Sequence, residues 1–142
     1  MEKAIGFLVE EGAILPTRAT KGSEGWDIYS PVDVDIPAGE RVLIKTGLRA
    51  DIPAGIYIDL RPRSGLALKH GITVLNSPGL IDSDYVDEIG VIIINHGKED
   101  ISVRKGDRIA QFVFCYSSGI DVNLIDRIDK EGRNGGYGST GR

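Results

Sequence analysis

Only one cysteine, Cys115, stands in the whole chain, so no internal disulfide can staple the fold. Stability must then come from an apolar core, and a reducing compartment is the simpler reading. Long apolar runs are missing too. None approaches the roughly 20 residues that a membrane helix needs. Glu10 and Glu11 arrive where a signal peptide would still be apolar. Surplus positive charge is also lacking, since 17 Lys and Arg against 21 Asp and Glu leave a net charge of −4. Such a chain has no whole-surface field for wrapping nucleic acid. Bound phosphate would have to be met by a local group of arginines or by a metal ion. His70, His96 and Cys115 are too scattered for a zinc site. Neither a P-loop nor a GxSxG elbow occurs, so ATPase and serine-hydrolase chemistry find no support and any hydrolysis would use water directly. These absences predict a soluble, intracellular, cytoplasmic protein that engages neither membrane nor nucleic acid.

What is present is the pattern of a β protein. The 142 residues suffice for one domain core, and 41% hydrophobic residues is an ordinary globular value. Helical periodicity is scarce, while period-2 alternation recurs. Ile56, Ile58 and Leu60 alternate with Tyr57, Asp59 and Arg61; Val42 and Ile44 alternate with Leu43 and Lys45. Ile101 and Val103 precede a Lys105-Gly106-Asp107 turn, after which a strand runs from Arg108 to Tyr116. Ile89 to Asn95 reads as a strand buried on both faces. Ile36-Pro37-Ala38-Gly39 and Ile52-Pro53-Ala54-Gly55 are two copies of one turn. Many short strands at this spacing predict an all-β sandwich or barrel, with one short helical piece around Gly65 to His70. The composition shifts only at the end. Gly132 to Arg142 holds five glycines and almost no apolar residues, which on composition alone describes a frayed terminus.

Four clusters can carry chemistry, and each also has an ordinary reading. Arg63, Ser64 and Gly65 follow a strand. Arg63 can chelate phosphate oxygens, Ser64 can donate a hydroxyl, and Gly65 lets a ligand approach backbone N–H groups. The alternative is a plain turn with a solvated arginine. Gly79-Leu80-Ile81-Asp82-Ser83-Asp84-Tyr85 offers a general base and a flat ring, or a polar hairpin tip. Asp27, between Trp26 and Ile28, is either a surface carboxylate or an outer-sphere magnesium partner, since magnesium keeps several of its waters. Gln111 is either a strand amide or a phosphate donor.

The order of these clusters resembles a known family. A Gly-x-Asp strand is followed by Pro-Arg-Ser-Gly, then Gly-Leu-Ile-Asp-x-Asp-Tyr, then Gly-Asp-Arg-Ile-Ala-Gln, then a tail with Gly-Tyr-Gly-Ser-Thr-Gly. Five ordered motifs from Gly25 to Gly141 look like the trimeric dUTP pyrophosphatases, the dUTPases. The resemblance implies an all-β, jelly-roll-like distorted barrel over residues 1–131 and a flexible lid over 132–142, assembled as a homotrimer with shared active sites. It implies hydrolysis of dUTP to dUMP and pyrophosphate, with Mg2+ as cofactor. Asp82 would orient the attacking water as base, and Tyr85 would pack on the deoxyribose. Asn76 and the backbone of Gly79, Leu80 and Ile81 would read uracil. Arg63, Ser64, Gly65 and Gln111 would hold phosphates, and Asp27 would hold magnesium through water. From the tail, Arg133 would reach the γ-phosphate and Tyr137, with Gly138 and Ser139, would cover the uracil. The chain departs from the family pattern at Glu24, where a small residue is usual, at Asp87, where glycine is usual, and in setting Arg133 one residue closer to the aromatic. A dCTP deaminase of the same fold family would need a catalytic glutamate beside the cytosine, and no matching motif is seen. A non-catalytic binding module that keeps the pocket is opposed by the intact Asp82 and tail.

Overall fold

The computed structural model describes residues 4–141; Met1 to Lys3 and Arg142, which fall within the two regions expected above, lie outside the described residues. Among the described residues nearly all of the regular structure is strand. The largest sheet has the order β2 (Trp26–Tyr29), β11 (Arg108–Tyr116), β6 (Ile56–Arg61), β8 (Gly79–Ile81). A three-stranded sheet has β9 (Gly90–Asn95) between β4 (Arg41–Lys45) and β7 (Ile72–Val74). Two ribbons complete it: β1 (Gly6–Val9) with β5 (Leu48–Asp51), and β3 (Val34–Ile36) with β10 (Ile101–Val103). Every pairing is antiparallel. Together they wrap one core in a jelly-roll-like barrel, the predicted class.

Alternation sets which side chains enter that core. On β6, Ile56, Ile58 and Leu60 are buried while Tyr57, Asp59 and Arg61 face outward. Its neighbour β11 sends Ala110 and Phe112 inward and runs over the residues expected of it. Phe112 is fully buried and its ring stacks on Phe7, with centroids 6.1 Å apart and planes 7° from parallel. Ile28, Ile36, Ile44, Leu48, Val74, Val91 and Ile93 close the rest of the interior. Strand β9 differs from expectation. Val91, Ile93 and Asn95 are buried, but Gly90, Ile92 and Ile94 are only partly covered. The reason is that a single chain lays nothing thick over the outer face of this sheet, where Leu43 of β4 is 58% exposed beside Ile92.

The two Pro-Ala-Gly turns are built alike. The N–H of Glu40 donates to Pro37 O at 3.0 Å, and that of Ile56 to Pro53 O at 3.2 Å. Gly39 and Gly55 sit at φ 81° and 87°, the left-handed value that the third position of a type II turn requires. Among the described residues the one helix, α1 (Ser64–His70), starts a residue earlier than expected and ends at Gly71 in the left-handed conformation. Among the described residues no helix is long and apolar enough to cross a membrane. Strand β11 ends at Tyr116, and residues 117–141 form an exposed arm beyond the sheets.

Asn95 is the polar knot of this fold. It is fully buried; its Nδ2 donates to Ile36 O at 2.9 Å and to Glu99 O at 2.8 Å, while Gly97 N–H donates to its Oδ1 at 2.9 Å. One side chain thus ties the end of β3 to the loop after β9. Asn95→Ala should lower stability by on the order of 3 kcal/mol, because buried groups lose partners that water cannot replace. A chemical denaturation curve checks this, and a shift below about 1 kcal/mol would remove Asn95 from that role.

Candidate active site

The first group of predicted residues converges where β2, β11 and the end of β6 meet. Asp27 pairs with Gln111, and Gln111 with Arg61, forming one row across three strands. The neighbours of Asp27 on β2 and of Gln111 on β11, Ile28 and Phe112, point into the core, so Asp27 and Gln111 point out. Arg63 lies just past β6, before α1. Its Nε is 3.9 Å from Asp27 Oδ1, and its Nη1 donates to Arg108 O at 3.3 Å. Arg108, at the start of β11, sets its Nη1 3.7 Å from Asp27 Oδ2. The Asp27 side chain is 17% exposed, so it is a half-sheltered carboxylate between two guanidiniums. A cavity of about 480 Å³ opens beside them, with the polar Arg63, Arg108, Ser102 and His70 and the apolar Ile72 and Ile109 among its lining.

Gln111 is held by geometry as close as any in the chain. Its Nε2 donates to Pro62 O at 2.9 Å. On the other side stands Gly25, where a Cβ atom would lie 1.9 Å from Gln111 Oε1. Thr17 completes the frame from outside the strands. Thr17 N–H donates to Asp27 O at 3.3 Å and Asp27 N–H to Thr17 O at 2.7 Å. The Arg18 guanidinium lies 4.9 Å from the Trp26 ring centroid. Ser64 and Gly65 open α1, both exposed, and a Cβ at Gly65 would meet nothing within 4 Å.

The second group sits at the other edge of the same sheet. Gly79 to Ile81 are strand β8, and Ile81 pairs with Ile58. Asp82, Tyr85, Leu80, Ile81, Ile89 and Gly90 line a smaller cavity of about 180 Å³. Tyr85 N–H donates to Asp82 O at 3.1 Å and its hydroxyl to Glu88 O at 2.6 Å, which closes the loop around this cavity. Glu88 Oε2 accepts from Gly47 N–H at 2.9 Å, and Asp87 Oδ1 lies 3.5 Å from Arg49 Nη2. The departure at Asp87 therefore adds a tether to β5. Asn76 is exposed, its Nδ2 3.5 Å from where a Gly79 Cβ would stand. On neighbouring strands, Cys115 raises the Tyr57 phenol above its ordinary pKa by charge and by a hydrogen bond.

The two groups do not meet within one chain. Asp82 follows Ile81, the partner of Ile58, whereas Asp27 and Gln111 are level with Arg61. That offset is roughly 13 Å along the strand at about 3.3 Å per residue. Three inter-strand steps from β2 to β8 add roughly 14 Å across, so the separation is roughly 20 Å. The third group, Arg133, Tyr137, Gly138 and Ser139, lies on the arm, fully exposed. Gly136 and Gly138 carbonyls accept from Ser139 and Gly141 N–H at 3.0 and 3.2 Å, one local turn that holds Tyr137 at φ 50°. Sequence patterning passed over Gly25 and Arg108 as site residues. Arg108 stood in view within Gly-Asp-Arg, but nothing in the spacing says that it reaches Asp27.

Two arginines and an amide around one aspartate on one edge of the sheet, with a second aspartate and a tyrosine lining a cavity on the other, are groups that a nucleotide hydrolase can use. The chain belongs to the dUTPase family, whose model matches residues 11–141. It is 48% identical over 136 residues to the deoxyuridine 5'-triphosphate nucleotidohydrolase of Treponema denticola, covering 94% of each chain. To the protein of the same name from Clostridioides difficile it is 46% identical over 134 residues, again covering 94% of each. Its fold matches a mutant of Staphylococcus bacteriophage 80alpha dUTPase with dUpNHpp, at TM-score 0.90 and 23% identity over 99% of both chains. It also matches a mutant dUTPase from phage phi11 of S. aureus that coordinates a structural Mg(II) ion, at TM-score 0.80 and 24% identity over 88% of this chain and 98% of that one.

The tight contact at Gly25 yields a separable test. In Gly25→Ala the new methyl must push Gln111 off Pro62 O, which a flexible amide does at small energetic cost. The melting temperature should move by only a few degrees, as for a change of about 1 kcal/mol. The KM for a nucleoside triphosphate should rise roughly 10-fold, about 1.4 kcal/mol of lost binding. Wild-type kinetics in Gly25→Ala would show that the position of Gln111 is immaterial.

Proposed function

We propose that the chain hydrolyses dUTP to dUMP and pyrophosphate as a homotrimer whose active sites are shared between copies. The observation that carries this reading is the separation of roughly 20 Å between Asp82 and Asp27 across the sheet. A base must lie within hydrogen-bond reach of the water it activates. The phosphates held at Arg63 and a water held at Asp82 can belong to one reaction only if a second copy brings its own Asp82 cavity to this chain's arginines. The partly covered outer face of β9 gives a second copy somewhere to pack.

In the assembled site Asp82 orients a water and takes its proton as the oxygen attacks the α-phosphorus in line. The bond from that phosphorus to the α,β-bridging oxygen breaks, and pyrophosphate leaves. Charge spreads over phosphate oxygens throughout, so the protein's work is positioning and electrostatic stabilisation. Arg63 is a bidentate phosphate donor, and the first turn of α1 at Ser64 and Gly65 offers N–H groups without helical partners. Open space at Gly65 supports close approach of a ligand to that backbone. Gln111 keeps one amide hydrogen beyond the bond to Pro62 O. Asn76 and the backbone of Gly79 to Ile81 read the uracil edge, and Tyr85 lies against C2′, leaving no room for a ribose hydroxyl. Discrimination against cytosine follows from buried groups left facing the wrong partner.

Magnesium fits this donor set in one way only. Among the described residues no three His, Cys, Asp or Glu side chains converge to cage an ion. A hard cation that keeps its waters and takes oxygens from substrate phosphates needs just one nearby carboxylate, and Asp27 is that carboxylate. When bound, the metal supplies countercharge to the triphosphate. The arm, with Arg133, Tyr137, Gly138 and Ser139, closes over the nucleotide as a lid. Removal of dUTP limits uracil incorporation into DNA, and the dUMP feeds dTMP synthesis.

Pyrophosphate release from dUTP, compared with dTTP, dCTP and UTP with and without magnesium, tests the activity; release from dCTP at the dUTP rate would overturn the uracil reading. Asp82→Asn should bind dUTP yet turn it over at least ~100-fold more slowly, the size of a lost general base. Near-wild-type turnover there would move the base elsewhere. Truncation after Lys130 should leave the melting temperature unchanged, since Glu131 to Gly141 are exposed throughout. Turnover should fall about 10-fold or more, as expected for one mobile charge and a stacking ring. An unimpaired truncated enzyme would make the glycine-rich end an ordinary loose terminus.

A further inference from the structure

Asp27 has partners before any ligand arrives. Its two carboxylate oxygens lie 3.9 Å from Arg63 Nε and 3.7 Å from Arg108 Nη1, on opposite oxygens. Arg63 is itself tied to Arg108 O, so the two guanidiniums are not independent. The backbone of Asp27 is pinned on both sides by Thr17, and Gly25 and Trp26 are packed by Gln111 and Arg18. The carboxylate therefore has little freedom to turn away toward a cation in solvent. The two guanidiniums outnumber the one carboxylate they flank, while Asp107, which lines the adjoining cavity, is occupied by the Arg104 N–H, so a divalent cation approaching Asp27 meets the arginines first.

We infer that Arg63 and Arg108 guard Asp27, so that it accepts a hydrated divalent cation only after the arginines have been drawn onto a polyphosphate. This rests on the reading of Asp27 as the magnesium partner and adds an order of events to it. A triphosphate carries charge near −4, which reverses the sign of the local field once it engages Arg63. The same movement lengthens the ion pairs and frees the carboxylate oxygens. Metal and nucleotide binding are thereby coupled through one three-residue exchange, and linkage makes that coupling reciprocal. The consequence is a site that does not collect metal in the absence of substrate.

The chain supplies its own reporter. Trp26 is the only tryptophan, and it is the residue before Asp27. Mn2+ alone is the probe, because this paramagnetic ion quenches a nearby indole and its free concentration is read by electron paramagnetic resonance. No nucleotide is present, so chelation by substrate does not enter. Unliganded wild-type protein should bind Mn2+ about 10-fold or more weakly than Arg108→Gln and Arg63→Gln, a coupling within the usual span. Arg108→Lys, which keeps the charge, should stay near wild type. Adding Asp27→Asn to Arg108→Gln should abolish both the gained affinity and the quenching of Trp26. Equal Mn2+ affinity in wild type and both glutamine variants would overturn the guard, as would a gain that survives Asp27→Asn. A protein that shows the gain but releases no pyrophosphate from dUTP would retain the guard and lose the activity proposed above, so the two readings fail separately.

Discussion

Everything in this molecule hangs on strand β6 being paired on both sides. It is hydrogen-bonded to β11 along one edge and to β8 along the other, in a register that leaves Ile56, Ile58 and Leu60 facing inward. A slip of one residue would turn those three into water and Tyr57, Asp59 and Arg61 into the core. The same register fixes the chemistry. It sets Gln111 level with Arg61 and hence Asp27 level with both, and it delivers the chain at Pro62 to the arginine beside them. On the far edge it sets where β8 ends and so where Asp82 emerges. Core packing and the location of both half-sites are thus one constraint expressed on two faces of a sheet.

The energetic weight is unevenly distributed. Asp27, Arg63 and Arg108 are partly exposed, and ion pairs at 3.7 and 3.9 Å in such surroundings add little to stability. What holds the site in shape is apolar: Phe112 and Ile28 lie directly beneath the row and are shut off from solvent. Burying a phenylalanine contributes about 1.5–3 kcal/mol from area alone. The candidate site's polar groups ride on that platform without being needed for it.

Much of this was legible in the pattern of residues. Period-2 alternation located β6, and the bounds of β11 followed from the Lys105-Gly106-Asp107 turn before it. The twin Pro-Ala-Gly segments turned out to close the same hydrogen bond. The ordered motifs pointed to the family. What could not be read was anything that depends on three-dimensional meeting. Asp27 gathers Arg63 and Arg108 from elements far apart in the chain, and no spacing records that. Gly25 looked like part of a strand signature, although its lack of a side chain leaves the room that the amide of Gln111 occupies. The outer face of β9 read as buried because its isoleucines are apolar, yet burial there needs more than one chain can provide. Nor does the order of the motifs say which of them share an edge of the sheet; the register holds them at opposite ones.

The arm that leaves the sheet at Tyr116 carries a consequence for how this protein fails. From Ser117 to Gly141 every residue is exposed, and Ile120, Val122, Leu124 and Ile128 have no cover. Extended, exposed chain of this kind is where proteases cut first. A single nick there severs Arg133 and Tyr137 from the barrel and leaves every buried residue in place. The clipped protein would melt, scatter light and elute much as before. Integrity judged by thermal shift would miss such a cut, and mass spectrometry would reveal it.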